Sequence, residues 1–91
     1  MNVVVKILVQ AHPQGAAQER LHRDATVKSE ERAAEIRSIV SDLADNLPAE
    51  GELRCELVLW VSGDEELTQW QFECTREELV QLIHRLETVV R

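Results

Sequence analysis

The chain has 91 residues, of which 44% are hydrophobic and 30% charged, and its formal net charge at pH 7 is −7. Such a composition is typical of an ordered domain, and a chain of this length buries one core, so we predict a single domain over residues 1–91. The acidic balance argues against nucleic acid as a partner, because phosphate-binding surfaces need Lys and Arg. The basic residues between Arg20 and Lys28 are interrupted by Asp24, and we interpret them as a solvated loop.

The first segment, MNVVVKILVQ, predicts a β-strand. Val3, Val5, Ile7 and Val9 alternate on one face of an extended chain, as the period of a strand requires. The segment lacks the length of a membrane span and the pattern of a signal peptide, so we expect a cytoplasmic protein. Residues 16–28 are rich in helix formers and poor in apolar anchors. We therefore expect a loop with one short helical turn there.

The next element is predicted to be a helix that begins at Ser29. The Ser29 hydroxyl is expected to accept hydrogen bonds from free amides of the first turn, and Glu30 and Glu31 complement the helix dipole. Pro48 and Gly51 are expected to end the helix. Its apolar stripe recurs at spacings of three and four residues and comprises Ile36, Ile39, Val40, Leu43 and Leu47.

Two further strands are predicted, over 52–61 and 67–74, joined by an acidic turn around Gly63 and Asp64. A turn centred on these two residues places Leu57 opposite Trp70 and Cys55 opposite Phe72. In this register Cys55 and Cys74 are diagonal neighbours, so we expect two free, buried thiols and no disulfide. Trp70 and Phe72 are expected to pack under the helices.

The last element is predicted to be a helix with a capping box, in which Thr75 and Glu78 satisfy amides at the helix start. Its apolar stripe comprises Leu79, Leu82, Ile83, Leu86, Val89 and Val90. The predicted fold is therefore α+β, a single small domain in the order β-α-β-β-α, with a three-stranded, mainly antiparallel sheet and two amphipathic helices.

The second face of the predicted sheet is half apolar, and two helices are few for covering two faces. Such a face seldom stays open to water. Either a helix or residues 16–28 fold over it, or it forms an interface with another subunit or protein, where Trp is enriched. We expect the interface, and its candidate residues are Val4, Leu8, Val58, Trp60 and Leu67.

Signs of reaction chemistry are sparse in this sequence. His12, His22 and His84 are the candidates for acid–base work, but none belongs to a recognisable catalytic motif. The acidic runs lack the spaced oxygen ligands of a calcium loop, and the two cysteines have no metal-ligand spacing. We therefore expect a protein that is not an enzyme and that has no catalytic, metal or cofactor site.

Part of the chain resembles a known family. Residues Leu53 to Val90 run from an apolar strand through an acidic turn into QWQFECTREELVQLIHRLETVV. In this run Phe72 lies near the end of a strand, Glu77-Glu78-Leu79 form a helix start, and Leu82 and Leu86-Glu87-Thr88 follow in the helix. This segment resembles the C-terminal part of the COMM domain. The resemblance implies a homodimeric assembly module for protein complexes, without catalysis. The alternative, from the acidic charge, is a small inhibitor or immunity-type protein that binds a basic partner protein.

Overall fold

Four strands and two helices make up the part of the chain that the computed structural model describes, residues 1–13, 17–48, 52–64 and 66–90. A single 3-10 turn, Ser29–Glu31, precedes the first helix. In chain order the elements are β1 (Asn2–Pro13), β2 (Glu19–Lys28), α1 (Arg32–Ala44), β3 (Leu53–Ser62), β4 (Leu67–Thr75) and α2 (Arg76–Val89).

The strands form one antiparallel sheet in the order β2-β1-β3-β4. Each half of the chain is a hairpin followed by a helix, and the halves meet where β1 pairs with β3. α1 packs on β1 and β2, α2 packs on β3 and β4, and the helices contact each other. The fold is thus a small α+β domain in which both halves have the same order of elements, two paired strands followed by a helix.

The strand β2 corrects the predicted order β-α-β-β-α and the predicted three-stranded sheet. Leu21, Ala25 and Val27 alternate toward the helices, and each pairs with a buried residue of β1. Arg23 occupies the inward position between Leu21 and Ala25. It lies on an edge strand, and its guanidinium nitrogen is 3.6 Å from a carboxylate oxygen of Asp42 in α1. Pairing satisfies the backbone groups along one side of β1, and the gain from this pairing outweighs the helix propensity of the residues in β2.

The core lies between one face of the sheet and the two helices. The predicted strand alternation of β1 is confirmed, and so is the predicted stripe of α1 as far as Leu43, since Val5, Ile7, Ile36 and Val40 are almost completely buried. The helix ends at Ala44, so Leu47 lies beyond it, and Gly51, expected to help end the helix, lies outside the described residues. Trp70 and Phe72 lie on the predicted face but are only partly buried, because β4 is an edge strand. From α2 the buried residues are Leu79, Leu82 and Leu86, with Val90 just beyond its end.

The two helix starts differ from each other. At α2 the predicted capping box is present: the Glu78 amide donates to Thr75 Oγ1 at 3.3 Å, and the Thr75 amide donates to Glu78 Oε1 at 3.2 Å. At α1 the predicted Ser29 cap is wrong. The Ser29 hydroxyl accepts from the Arg32 guanidinium at 2.9 Å instead, and the chain enters α1 through the 3-10 turn.

The register between β3 and β4 is shifted by two residues from the predicted one. Leu59 pairs with Trp70, Leu57 with Phe72, and Cys55 directly with Cys74. The reason is the turn: the Gly63 amide donates to the Glu66 carbonyl at 2.9 Å, so the hairpin is centred one residue later than expected. Each side chain keeps its predicted face, because a shift of two preserves the alternation.

Candidate interaction surface

The open face is the side of the sheet that points away from both helices. Its residues alternate with the core residues along each strand, and neither helix covers it. β1 contributes Val4, Lys6, Leu8 and Gln10; β2 contributes Arg20, His22, Asp24 and Thr26; β3 contributes Arg54, Glu56, Val58, Trp60 and Ser62; and β4 contributes Leu67, Gln69, Gln71 and Glu73.

All five predicted interface residues lie on the open face, but their exposure differs. Leu67 is 73% exposed and Val4 38%, whereas Leu8 and Trp60 are half-buried. Val58 is only 4% exposed although no helix covers it. Its neighbours across the ladders are Leu8 and Gln71, so Val58 forms the floor of the apolar patch and the other four residues form its accessible part.

Polar side chains surround this apolar patch, and one row of residues across the sheet carries opposite charges at its two ends. Arg20 and His22 lie on edge strand β2, while Glu73 lies on edge strand β4, beside Glu56 of β3. Glu56 accepts a hydrogen bond from the Gln71 amide at 3.0 Å, which ties its carboxylate to β4. The row from Arg20 through Gln10 and Glu56 to Glu73 is therefore basic at its β2 end and acidic at its β4 end, whereas Asp24 adds an acidic group further along β2.

The sequence could have revealed the position of Arg20 on the open face only through a prediction of strand β2. The sequence predicts a solvated loop for Arg20, His22 and Asp24, because Arg23 interrupts the alternation of Leu21, Ala25 and Val27. The apolar residues of a strand are present, but the inward position between Leu21 and Ala25 is occupied by a charged residue, Arg23. Residues of an unrecognised strand could not be placed on a shared surface with β1.

The three histidines do not form a catalytic arrangement with one another in the described chain. His12 and His22 lie on neighbouring strands of the sheet, and His84 lies on α2; all three are exposed. Among the described residues there is no group of three or more His, Cys, Asp or Glu side chains that could hold a metal ion. In the same residues, neither α1 nor α2 is long and apolar enough to cross a membrane.

The cysteines lie on the helix side of the sheet, at the end near the start of α2. Cys55 is buried and Cys74 is half-buried, and both are free thiols. Burial, and to a smaller extent the neighbouring Cys55 and the Glu78 carboxylate, raise the pKa of Cys74 to about 11. Burial also raises the pKa of Cys55, against an opposing effect of Arg76.

A cleft of about 440 Å³ opens at this end of the sheet. It gives solvent a route toward the two thiols, although their raised pKa values keep them protonated at neutral pH. The lining residues are His12, Arg54, Cys55, Glu56, Glu73, Cys74, Thr75 and Glu78.

Comparison with known proteins assigns no family to the chain: no family model, no curated protein and no solved structure matches it.

Proposed function

We propose that this protein is a non-enzymatic assembly module that forms a homodimer through the open face. The observation that carries the proposal is the uncovered apolar patch of Val4, Leu8, Trp60 and Leu67 on a floor of Val58. Burying such a patch against a second sheet removes apolar surface from water, and sheets commonly pack face to face in this way. The resemblance of residues Leu53 to Val90 to the COMM domain implies the same use.

The size of the open face suits a homodimer. Four strands spaced by about 4.8 Å and about ten residues long cover roughly 600 Å². Two copies packed face to face would bury about 1,200 Å² in total, the lower end of the range for specific protein–protein interfaces. We therefore expect a dissociation constant in the micromolar range, since an interface of this size without a large hot spot is not tight.

The charges on the open face favour a second copy as the occupant. A two-fold axis parallel to the strands, between β1 and β3, places β1 over β3 of the second copy and β2 over β4. Arg20, Gln10, Glu56 and Glu73 form one row across the four strands. The two-fold axis reverses this row in the second copy, so Arg20 lies over Glu73 of that copy. Lys6 lies over Trp60 in the same way, a favourable arrangement of an ammonium group and an aromatic ring.

The dimer would assemble in the cytoplasm, where free thiols such as Cys55 and Cys74 persist.

A basic partner protein is the competing occupant of the open face, as the alternative function of an acidic inhibitor would require. Binding of that kind depends on long-range charge and falls steeply with salt. A dimer held by the apolar patch would lose little affinity between low and physiological salt.

A charge exchange tests the proposed dimer. Within one copy Arg20 and Glu73 lie on opposite edges of the sheet, three strand spacings or about 14 Å apart. Arg20→Glu and Glu73→Arg should each weaken the dimer by about tenfold, because each dimer contains two such contacts worth up to ~1 kcal/mol each. The double variant should recover most of that loss. Analytical ultracentrifugation measures the dissociation constants.

Two further variants complete this test. Trp60→Glu places a charge in the patch and should give a folded monomer, whereas Gln81→Glu adds the same charge on the exposed side of α2 and should leave the dimer intact. Circular dichroism of both variants separates loss of dimer from loss of fold. A wild-type chain that stays monomeric at about 100 μM would refute the proposal.

A further inference from the structure

The two cysteines form a directly opposed cross-strand pair on β3 and β4. The Gly63 amide donates to the Glu66 carbonyl at 2.9 Å, so these two residues form a hydrogen-bonded pair of the ladder. Hydrogen-bonded pairs alternate with non-hydrogen-bonded pairs along an antiparallel ladder, and the register is uninterrupted from there to Cys55. Cys55 lies an even number of positions from Gly63 along β3, and Cys74 lies the same number of positions from Glu66 along β4. They are therefore also a hydrogen-bonded pair, with Cα atoms about 5.5 Å apart.

This Cα separation lies inside the range of about 4.4 to 6.8 Å that protein disulfides span, and the Cβ atoms, up to about 5.5 Å apart in a hydrogen-bonded pair, have to approach each other by about 1 Å to form the bond. Both side chains point to the helix side of the sheet, because directly opposed residues of an antiparallel pair share a face. The cleft at this end of the sheet connects the pair to solvent, and Cys74 is the more exposed of the two.

We propose that Cys55 and Cys74 are a covalent redox modification site, which a low-molecular-weight disulfide such as oxidised glutathione converts into an intramolecular cross-strand disulfide. The site is independent of the proposed dimer, because the pair lies on the helix side of the sheet and not on the open face.

The reaction proceeds in two exchange steps. The Cys74 thiolate attacks one sulfur of the small disulfide, which forms a mixed disulfide and releases one small thiolate. The Cys55 thiolate then attacks the Cys74 sulfur and releases the second small thiolate. Each cysteine gives up one proton and each released thiolate takes one up. The protein is oxidised by two electrons, and one small disulfide is reduced to two thiols.

Buried thiols make this site slow to respond at neutral pH. Only the thiolate reacts, and the protonated form dominates up to the pKa of Cys74, about 11. Glu78 of α2 opposes ionisation of Cys74, while Arg76 of α2 favours ionisation of Cys55. The remaining charged or titratable groups around the cleft are His12 of β1, Arg54 and Glu56 of β3, and Glu73 of β4. We expect the oxidation rate to rise about tenfold per pH unit between pH 7 and 9.

The test incubates the full chain with mixtures of reduced and oxidised glutathione and follows the products by intact mass spectrometry and peptide mapping. The expected product is lighter by two hydrogens, carries a Cys55–Cys74 link and unfolds at a temperature higher by on the order of 10 °C, since the bond closes a loop in the unfolded chain. Cys55→Ser should instead accumulate glutathione on Cys74. Cys74→Ser, which retains only the buried thiol, should react several-fold more slowly.

Three results would overturn the proposal. One is a protein that stays fully reduced after equilibration with excess oxidised glutathione at pH 9, where exchange is fast enough to reach equilibrium. Another is an oxidised product in which the cysteines link two chains. The third is an intramolecular disulfide that lowers the unfolding temperature, because the directly opposed pair would then not be the native geometry.

Discussion

At the residue scale, the two thiols couple protonation to folding. The ordinary pKa of a cysteine is 9.0, and burial raises that of Cys74 to about 11 in the folded chain. Because the folded pKa is above the unfolded one, the stabilisation is fully present below pH 9 and is lost as the pH rises through 11. Because the Cys74 thiol is partly exposed and solvent screens its charge, the loss is on the order of 2 kcal/mol or less.

Urea unfolding between pH 8 and 11.5 measures this dependence. The wild-type free energy of unfolding should fall across the window from pH 9 to 11, and Cys74→Ala should remove the larger part of the slope, leaving the contribution of Cys55. An unchanged slope in Cys74→Ala would show that other groups carry the dependence.

At the same scale, exposure depends on neighbours that a strand pattern does not reveal. The alternation of β3 correctly assigned Val58 and Trp60 to the face away from the helices. It could not show that Val58 would be covered by side chains of adjacent strands, because that depends on which strands lie beside β3. In the same way, the facing of Cys55 and Cys74 depends on one turn hydrogen bond, that of Gly63 with Glu66.

At the scale of elements, the edge strand β2 can be tested with proline. The Ser29 amide donates to the Met1 carbonyl at 2.9 Å, so these two residues form a hydrogen-bonded pair at the end of the β1–β2 ladder. Hydrogen-bonded pairs recur at every second position from there, and Val5 with Ala25 is one of them. The Ala25 amide therefore points to β1 and the Asp24 amide points away from the sheet. Proline lacks an amide proton and is tolerated on an edge strand only where the amide faces outward.

The expected result follows from this difference. Ala25→Pro should lower the free energy of unfolding by about 2 kcal/mol or more, through a lost ladder bond and a carbonyl of Val5 left without its donor. Asp24→Pro, the matched control, should cost much less. Chemical denaturation measures both. Equal costs would mean that β2 does not pair with β1 in the register described.

The elements that local signals specify were the ones that could be predicted. Thr75 and Glu78 define the start of α2 within four residues, and β1, β3 and α1 carry strong periodicity. β2 has three apolar inward residues and one arginine, so its strand state depends on pairing with β1 and not on its own pattern. The open face and its apolar residues were therefore predictable, whereas the position of Arg20 on that face and the number of strands were not.

At the scale of the whole molecule, a homodimer makes stability depend on concentration. If only the dimer buries the open face, each tenfold increase in chain concentration stabilises the folded state by about 1.4 kcal/mol per mole of dimer. The thermal midpoint of the wild-type chain should rise by a few degrees between about 5 and 500 μM. Trp60→Glu should show no such rise, and a midpoint independent of concentration in the wild-type chain would contradict a dimer of micromolar affinity.

The central pairing of β1 with β3 also has a consequence for the time course of folding. The hairpins β1–β2 and β3–β4 join neighbouring segments, and such hairpins form within about 1–10 μs. Val4 and Ser62, in contrast, are paired although they are 58 positions apart. Closing that long loop is entropically costly and gives little return until the strands align. We therefore expect the pairing of β1 with β3 to limit the folding rate. Val9 and Leu57, which are paired across these two strands, should already be in contact in the folding transition state.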